Sequence, residues 1–286
     1  MKVTSALIGN ILTRTTGYLE TVSSHSAQPY RGCSLGRSLC GVGCYVRHNH
    51  HLTRGEEWGT FLEARENAGE SYLENCRVES RWARKHRGDF SIFLSSSTEP
   101  FVPQESRCGV TRALLSAMGE APPDVLIVQT HSHLVLDHLG QLQALGERCA
   151  LRVQVSIETD REELPGLPAP FSSIDSRFEA ARRLREAGIE TVVTVSPLLP
   201  IRDEEVFFER IAECADAVVL DHFIGGDGSP SGSRTRRTPL PAKMESLQPG
   251  STELSYRDRM VELARRRFPG RVGVGIDGFA GRYLPD

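Results

Sequence analysis

The sequence predicts an α/β fold built as a partial parallel (β/α)6-type barrel, and three observations predict it. Short apolar runs recur at 89–95, 124–130, 151–157, 190–195, 217–220 and 272–276. They lack the polar alternation of a half-exposed strand, so each reads as a strand covered on both faces, as in a parallel sheet. Segments with helical spacing separate them, and strand–helix–strand crossovers within one sheet are right-handed. The strands end in polar residues: Ser96–Glu99, Thr130–His131, Ser156–Glu158, Ser196 and Asp221–His222. A doubly wound open sheet is the alternative, and either fold gathers function at the C-terminal strand ends.

The elements follow in order. Residues 46–60 form a polar stretch. A helix runs from Ala68 to His86, with Tyr72, Leu73, Cys76 and Trp82 on its apolar face. The strand 89–95 leads into the polar turn Ser95–Pro100, then a helix over 109–118. The strand 124–130 precedes a helix over 134–145. The strand 151–157 precedes a Pro-rich loop, 164–170, and an amphipathic helix over 173–187 that Gly188 closes. After the strand 190–195 comes a helix over 203–214, then the strand 217–220. Residues 225–252 are rich in Gly, Ser and Pro and read as a long flexible loop. A helix over 256–268 and a strand over 272–276 complete the chain. The whole reads as one domain, 1–286, with a core over about 28–221 and a C-terminal helix and strand in 253–286.

Length and charge bound the function. A chain of 286 residues buries a full core. With 34 Lys and Arg against 37 Asp and Glu, the net charge is −3, which demands neither a nucleic-acid nor a membrane partner. No apolar run has membrane-spanning length, and the first twelve residues are too weakly apolar for a secretory leader. A cytoplasmic protein with reduced thiols is the expectation. Cys76, Cys108, Cys149 and Cys214 are scattered and read as small buried hydrophobes.

The other three of the seven cysteines are concentrated. Cys33, Cys40 and Cys44 lie on one loop with Gly32, Gly36, Gly41 and Gly43. Three thiolates on a glycine-rich loop wrap a soft metal centre, and an odd ligand number leaves a position open for chemistry. A closed structural zinc site wants four ligands, which His48, His50 or His51 would complete. That alternative is a zinc-stabilised, non-catalytic nucleic-acid-binding protein. His131, His133 and His138 read as solvated histidines at a helix start. Arg234, Arg236 and Arg237 read as part of a solvated loop, or more sharply as a lid over an anionic substrate. Arg265, Arg266 and Arg267 read as cations at a helix C-terminus.

Five stretches in order resemble the radical S-adenosylmethionine (SAM) superfamily, and within it the spore photoproduct lyase-like group labelled "DNA repair photolyase". They are Pro29-Tyr30-Arg31-Gly32-Cys33, Cys44-Tyr45, Ser97-Thr98-Glu99-Pro100-Phe101-Val102-Pro103, the helix Arg177–Gly188, and Val195-Ser196-Pro197-Leu198-Leu199-Pro200. The match spans about residues 28–220. The spacing here is Cys-x6-Cys-x3-Cys where the family has Cys-x3-Cys-x2-Cys, and the added Gly, Ser and Arg residues let three thiolates reach one centre.

The resemblance implies a radical SAM-like fold and a [4Fe–4S] cluster on Cys33, Cys40 and Cys44, with SAM chelating the fourth iron. One-electron cleavage of SAM would give a 5′-deoxyadenosyl radical that abstracts hydrogen from substrate. It further implies Tyr45 beside the cluster, and Ser97, Thr98 and Glu99 at the SAM ammonium. Ser156 and Glu158 would meet the ribose, Ser196 the adenine or methionine part, and Asp221 and His222 the substrate. A small electron donor such as flavodoxin or ferredoxin is the implied partner, with nucleic acid as one substrate class. Photoproduct lyases resemble a scheme in which a cysteine near the strand-end turn donates hydrogen. Here Ser95, Ser96 and Ser97 stand there, with Cys108 nearby in sequence.

Overall fold

The computed structural model describes residues 1–286. The strands are β1 (Lys2–Ala6), β2 (Leu12–Arg14), β3 (His25–Ala27), β4 (Tyr30–Gly32), β5 (Phe61–Arg65), β6 (Ser91–Leu94), β7 (Val125–Thr130), β8 (Ala150–Ser156), β9 (Glu190–Val195), β10 (Ala217–Leu220) and β11 (Val272–Val274). An eight-stranded sheet has the order β11-β10-β9-β8-β7-β6-β3-β2. Every neighbouring pair from β3 to β11 is parallel, and only β2 runs antiparallel, against β3. The parallel strands lie side by side in chain order. A doubly wound sheet would reverse that order at a switch point, so the structure selects the partial barrel over its alternative. β2 and β11 are opposite edges, and the sheet does not close.

Chain order with right-handed crossovers puts the connecting helices on one face. There Leu126, Val128, Val153, Val155, Val193 and Val195 meet Tyr72, Leu114, Leu142, Phe178 and Phe207 in a core of 52 buried residues. The other face, which is concave, carries the alternate positions. Phe93, Ile127, Val192 and Val219 form an apolar floor with Phe279. One residue pair further along the same strands come Ser95, Gln129 and Asp221, which line a cavity. The strands that read as uniformly apolar therefore change character toward their C-terminal ends on one face only.

Local chemistry sets the helix limits. Ser173 accepts from Ser176 N at 3.1 Å to start the helix Ile174–Glu186, and Gly188 follows its end at φ 78°. Asp203 caps Glu204–Cys214 by accepting from Val206 N at 3.1 Å. A second sheet, β1-β5-β4, carries the exit to the cysteine loop. Arg31 on β4 anchors it. Its Nε and Nη2 each donate to Glu63 on β5 at 3.0 Å, and Nη1 donates to Leu52 O at 2.8 Å.

Several expectations are corrected. Residues 225–252 are not a long loop. They hold a helix at Leu240–Leu247 and a 3-10 turn at Thr235–Arg237. Leu240 and Met244 are buried against Leu39, Leu164, Leu199 and Phe223, so apolar contacts order a segment whose composition suggests none. The helix expected over 134–145 begins as a 3-10 turn, His133–His138. His138 is buried, with Nδ1 3.2 Å from Gln141 Oε1, and is not solvated. Of the scattered cysteines only Cys214 is buried; Cys76, Cys108 and Cys149 are half-buried. The last strand stops at Val274, and a short helix Gly275–Phe279 folds under the concave face.

Leu126→Ala, at the centre of the buried face, is expected to destabilise the protein by roughly 2–5 kcal/mol through cavity formation. Val206→Ala on the exposed side of Glu204–Cys214 should stay within about 0.5 kcal/mol. Urea denaturation midpoints check both, and equal effects would contradict this placement of sheet and helices.

Candidate functional site

The cysteine loop leaves β4 at Cys33 and folds on itself. A Cβ on Gly41 would stand 2.1 Å from the carbonyl carbon of Gly36, so only two bare backbones fit at that crossing. A Cβ on Gly43 would stand 2.5 Å from Leu240 Cδ2, which places the 240–247 helix directly over the loop. Cys33 is buried, and Cys40 and Cys44 are half-buried. Burial pushes the Cys33 and Cys44 thiols up, Cys44 to about 12, and negative charge on Cys40 raises both further. The three sulfurs therefore sit within each other's electrostatic range, and a bound cation would reverse those shifts.

The chemistry of this donor set discriminates between centres. No three His, Cys, Asp or Glu side chains converge closely enough to share one metal ion. A single tetrahedral zinc, at a Zn–S distance of about 2.3 Å, draws its sulfurs to within about 4 Å of one another. A cubane cluster spreads its thiolates over several irons. Three thiols on one glycine-rich loop, near enough to shift one another's pKa, are a soft sulfur donor set of the kind that holds such a cluster.

Cys40 and Cys44 open into a cavity of about 590 Å³ at the C-terminal strand ends. Tyr45, Ser97, Ser156, Glu158, Ser196 and Asp221, all singled out from the sequence, line it. Cys33, Thr98, Glu99 and His222 do not. The Thr98 hydroxyl lies 3.3 Å from both Gln28 Oε1 and Tyr30 O. His222 is a helix cap. Its Nδ1 accepts from Ile224 N at 3.1 Å, Nε2 faces Ser251 O at 3.4 Å, and burial pushes its pKa down to about 4, so the ring is neutral.

Glu99 ties strand ends together. Oε1 accepts from Thr130 Oγ1 at 2.6 Å and from Phe101 N at 3.0 Å, while Oε2 accepts from His131 N at 2.8 Å. The Glu99 backbone N–H faces the Cys33 sulfur and favours its thiolate. Burial raises the Glu99 pKa, against the pull of His131 and of those donors. Beyond it, His131 Nε2 lies 3.2 Å from Glu158 Oε1, and Arg177 Nη1 donates to Glu158 Oε2 and to Ser156 O, both at 2.6 Å. Burial alone would raise the Glu158 pKa, but Arg177 and His131 hold its carboxyl well below the usual range. Burial alone would lower that of His131, but Cys40 and Glu158 raise it well above its ordinary value. His131 is therefore a member of the site and not a solvated histidine. His133 lies outside it, its Nδ1 2.8 Å from Ser172 Oγ.

Three further groups join them, of which only Ser95, at the strand-end turn, was singled out from the sequence. Tyr18, Ser95 and Gln129 line the cavity, and Tyr18 Oη, Ser95 Oγ and Gln129 Oε1 are buried without a hydrogen-bond partner. The Gln129 amide donates to Ser156 Oγ at 2.6 Å and Thr194 Oγ1 at 2.9 Å, which leaves its oxygen to accept from a ligand. Ser95 adopts φ 67°, a left-handed conformation rare outside glycine. Gln129, a polar residue inside an apolar run, was a signal the sequence offered and Tyr18 offered none. Asp221 joins them. Burial pushes its pKa up to about 7, opposed by the Ser196 hydroxyl at 3.1 Å and by Arg257.

The rim differs from the interior. Arg47, Arg234 and Arg236 donate to backbone carbonyls rather than to carboxylates. Burial pushes the His48 pKa down, and positive charge on Arg47, Arg237 and His50 adds to that. Of these cations only Arg234 lines the cavity.

No protein-family model matches the sequence, and no curated protein matches it. Solved structures do. A spore photoproduct lyase variant with bound AdoMet and dinucleoside spore photoproduct superposes with a TM-score of 0.61 at 13% identity, over 95% of this chain and 81% of that one. Another variant of a spore photoproduct lyase, with dinucleoside spore photoproduct, gives 0.60 at 14% identity with the same coverage. A spore photoproduct lyase complexed with the same dinucleoside gives 0.58 at 13%. The chain has the spore photoproduct lyase fold.

Gly41→Ala is expected to force the loop apart and lower the thermal midpoint by several degrees, because backbone cannot yield as a side chain can. An unchanged midpoint in calorimetry would contradict the Gly36–Gly41 crossing. Asp221 gives a pH-dependent expectation. Its folded pKa is raised, so between about pH 4 and 7 the unfolded state ionises first and stability falls as pH rises, by up to about 1.4 kcal/mol per unit. Asp221→Asn should remove that loss, gaining stability over wild type at pH 8 but not at pH 4, as read by denaturation midpoints across pH.

Proposed function

We propose that the chain is a radical SAM enzyme, with a [4Fe–4S] cluster held by Cys33, Cys40 and Cys44. One observation carries this reading. Cys40 and Cys44 of one glycine loop open on a cavity of about 590 Å³ at the ends of parallel strands in chain order, and Cys33 of the same loop lies behind its wall. The shared fold with an AdoMet-bound structure supports it. When bound, the cluster and SAM supply one-electron cleavage of a carbon–sulfur bond and a radical that takes hydrogen from the substrate.

The protein's own residues supply position and exclusion of water. Ser97 offers a hydroxyl to the SAM ammonium. Thr98 and Glu99 act from behind the wall, where Glu99 adds negative charge and fixes the strand ends. Ser156 and Glu158 face the ribose in this reading, Ser196 the adenine or methionine part, and Tyr45 packs beside the cysteines. Leu240 over Gly43 shields the loop from solvent. Asp221, whose carboxyl burial makes reluctant to ionise, offers the substrate a hydrogen-bonding group at the cavity wall. A small electron donor such as flavodoxin or ferredoxin delivers the electron, and the enzyme works in the cytoplasm.

An apolar floor, the free amide oxygen of Gln129 and the cation of Arg234 in one cavity suit a substrate with a neutral ring or amide and an anionic group such as a phosphate. A DNA photoproduct lyase in the strict sense is the second reading, favoured by the dinucleoside photoproduct in the similar structures. Ser95, Ser96 and Ser97, where those lyases resemble a cysteine-donor scheme, weigh against it.

Anaerobic reconstitution with iron and sulfide, then dithionite and SAM, is expected to yield 5′-deoxyadenosine by mass spectrometry. Cys33→Ala, Cys40→Ala and Cys44→Ala should each reduce it to background. Normal SAM cleavage by Cys40→Ala would overturn the ligand assignment. Colourless protein with one zinc would overturn the function.

A further inference from the structure

Two segments far apart in sequence meet at the mouth of the cavity. Residues 45–55 follow the last cysteine of the loop, and residues 228–244 pack back over it, with Leu240 against Gly43. Asn49 and Leu52 of the first segment and Arg234, Thr235 and Leu240 of the second line the same cavity. Arg47 Nη1 donates to Val42 O, between Cys40 and Cys44, at 3.3 Å. The Arg234 guanidinium stands 6.0 Å over the Tyr45 ring. We propose that these two segments form the docking face for the electron donor, a small one-electron carrier protein with an acidic surface. This rests on the cluster reading.

Charge and place carry the inference. Together the segments hold Arg47, Arg54, Arg234, Arg236, Arg237 and Lys243, and neither contains an Asp or Glu. The chain as a whole has a net charge of −3, so positive charge is concentrated here. Arg54, Arg234, Arg236 and Arg237 are exposed. The acids that flank the segments in sequence are engaged. Asp227 accepts from Ser229 N at 2.9 Å and from Thr235 N at 2.7 Å. Glu56 lies 3.2 Å from Arg31, and Glu57 lies 3.9 Å from Arg37. The face adjoins the cysteine loop directly, so a carrier seated on it comes close to the centre. Electron-transfer encounters are weak and small, and complementary charge is what steers them. A nucleic acid is also drawn to cations, but a single strand wants aromatic platforms for its bases and a duplex wants a basic stripe. Tyr45 is the one Phe, Tyr or Trp in the two segments, and the more acidic remainder of the chain repels a long polyanion running past the patch. A compact acidic protein meets neither obstacle. In the step itself one electron passes from the carrier, which is oxidised, to the centre, which is reduced, and no bond forms or breaks.

The test reads binding and electron transfer apart from turnover. Enzyme reconstituted with iron and sulfide is titrated with an acidic flavodoxin and, separately, an acidic ferredoxin by interferometry, and stopped flow follows bleaching of the centre by each reduced carrier. Wild type is compared with Arg54→Glu/Arg237→Glu and with Arg183→Glu, a reversal on the exposed side of the helix Ile174–Glu186. The double reversal is expected to weaken binding of at least one carrier and slow its bleaching by about tenfold at low ionic strength, and the gap should close at about 0.5 M salt. Arg183→Glu should match wild type, and dithionite, which needs no docking face, should bleach all three alike. Arg54→Gln/Arg237→Gln, with a smaller loss, serves if the reversal does not fold. Unchanged carrier binding in the double variant overturns the proposal, as does wild type that binds neither carrier. Unchanged carrier binding with lost salt-dependent binding of an oligonucleotide makes the face a nucleic-acid surface instead. Wild type that binds no iron and sulfide overturns the cluster reading and this proposal with it, and metal content separates that failure from the others.

Discussion

The arrangement of the site depends on one buried carboxylate. Glu99 sits after β6, and its side chain takes two donors from the end of β7 and one from its own turn. Its backbone N–H turns the other way, toward Cys33. Strand ends that would otherwise fray independently are thereby fixed to each other and to the cysteine loop. Burying a carboxylate is unfavourable unless its lone pairs are filled, and three donors within 3.0 Å fill most of them. Burial nevertheless keeps its pKa above the ordinary value. Glu99 is thus committed to geometry before any ligand is considered.

That constraint operates on a fold that already points its polar ends one way. Parallel strands in chain order place every C-terminal end on a common rim. On the concave face the same strands pass from Ile127 to Gln129 and from Val219 to Asp221, so the floor is apolar and the upper layer polar. The glycine loop then crosses this rim with no side chains at its tightest point, which lets Cys40 and Cys44 face inward while Cys33 stays behind the wall.

Much of the central sheet was legible because its strands are buried on both faces and so spell continuous apolar runs. β9 and β10 fall at the residues the pattern indicates. The N-terminal strands were not legible. β1 is largely exposed, and β2, β3 and β4 have three residues each, too few for a period to register. Residues 225–252 misled because composition reports chain flexibility, whereas Leu240 and Met244 supply the few apolar contacts that order the segment. In the site, Cys33, Cys40 and Cys44 announced themselves by density. His131 did not, because a histidine at a strand end looks the same whether it meets solvent or, as here, Cys40 and Glu158. Tyr18 gave no signal, since the short helical turn that carries it reaches the cavity only through tertiary packing against Phe279.

The interior of the cavity is less stable than it could be, and that is informative. Tyr18 Oη, Ser95 Oγ and Gln129 Oε1 are each buried without a partner, and such groups cost about 1–3 kcal/mol apiece. Asp221 lies near them with a carboxyl that burial makes reluctant to ionise. Partnerless buried atoms also occur away from the cavity, as at Gln104, Gln154 and Tyr283, none of which lines it. What sets Tyr18, Ser95 and Gln129 apart is that they line the cavity, where a ligand can supply the missing partners. A ligand with both donors and acceptors recovers that free energy on binding. An apolar ligand of the same size does not, because it leaves the same atoms unpaired. Selectivity at this wall follows from the penalty for the wrong partner more than from attraction to the right one.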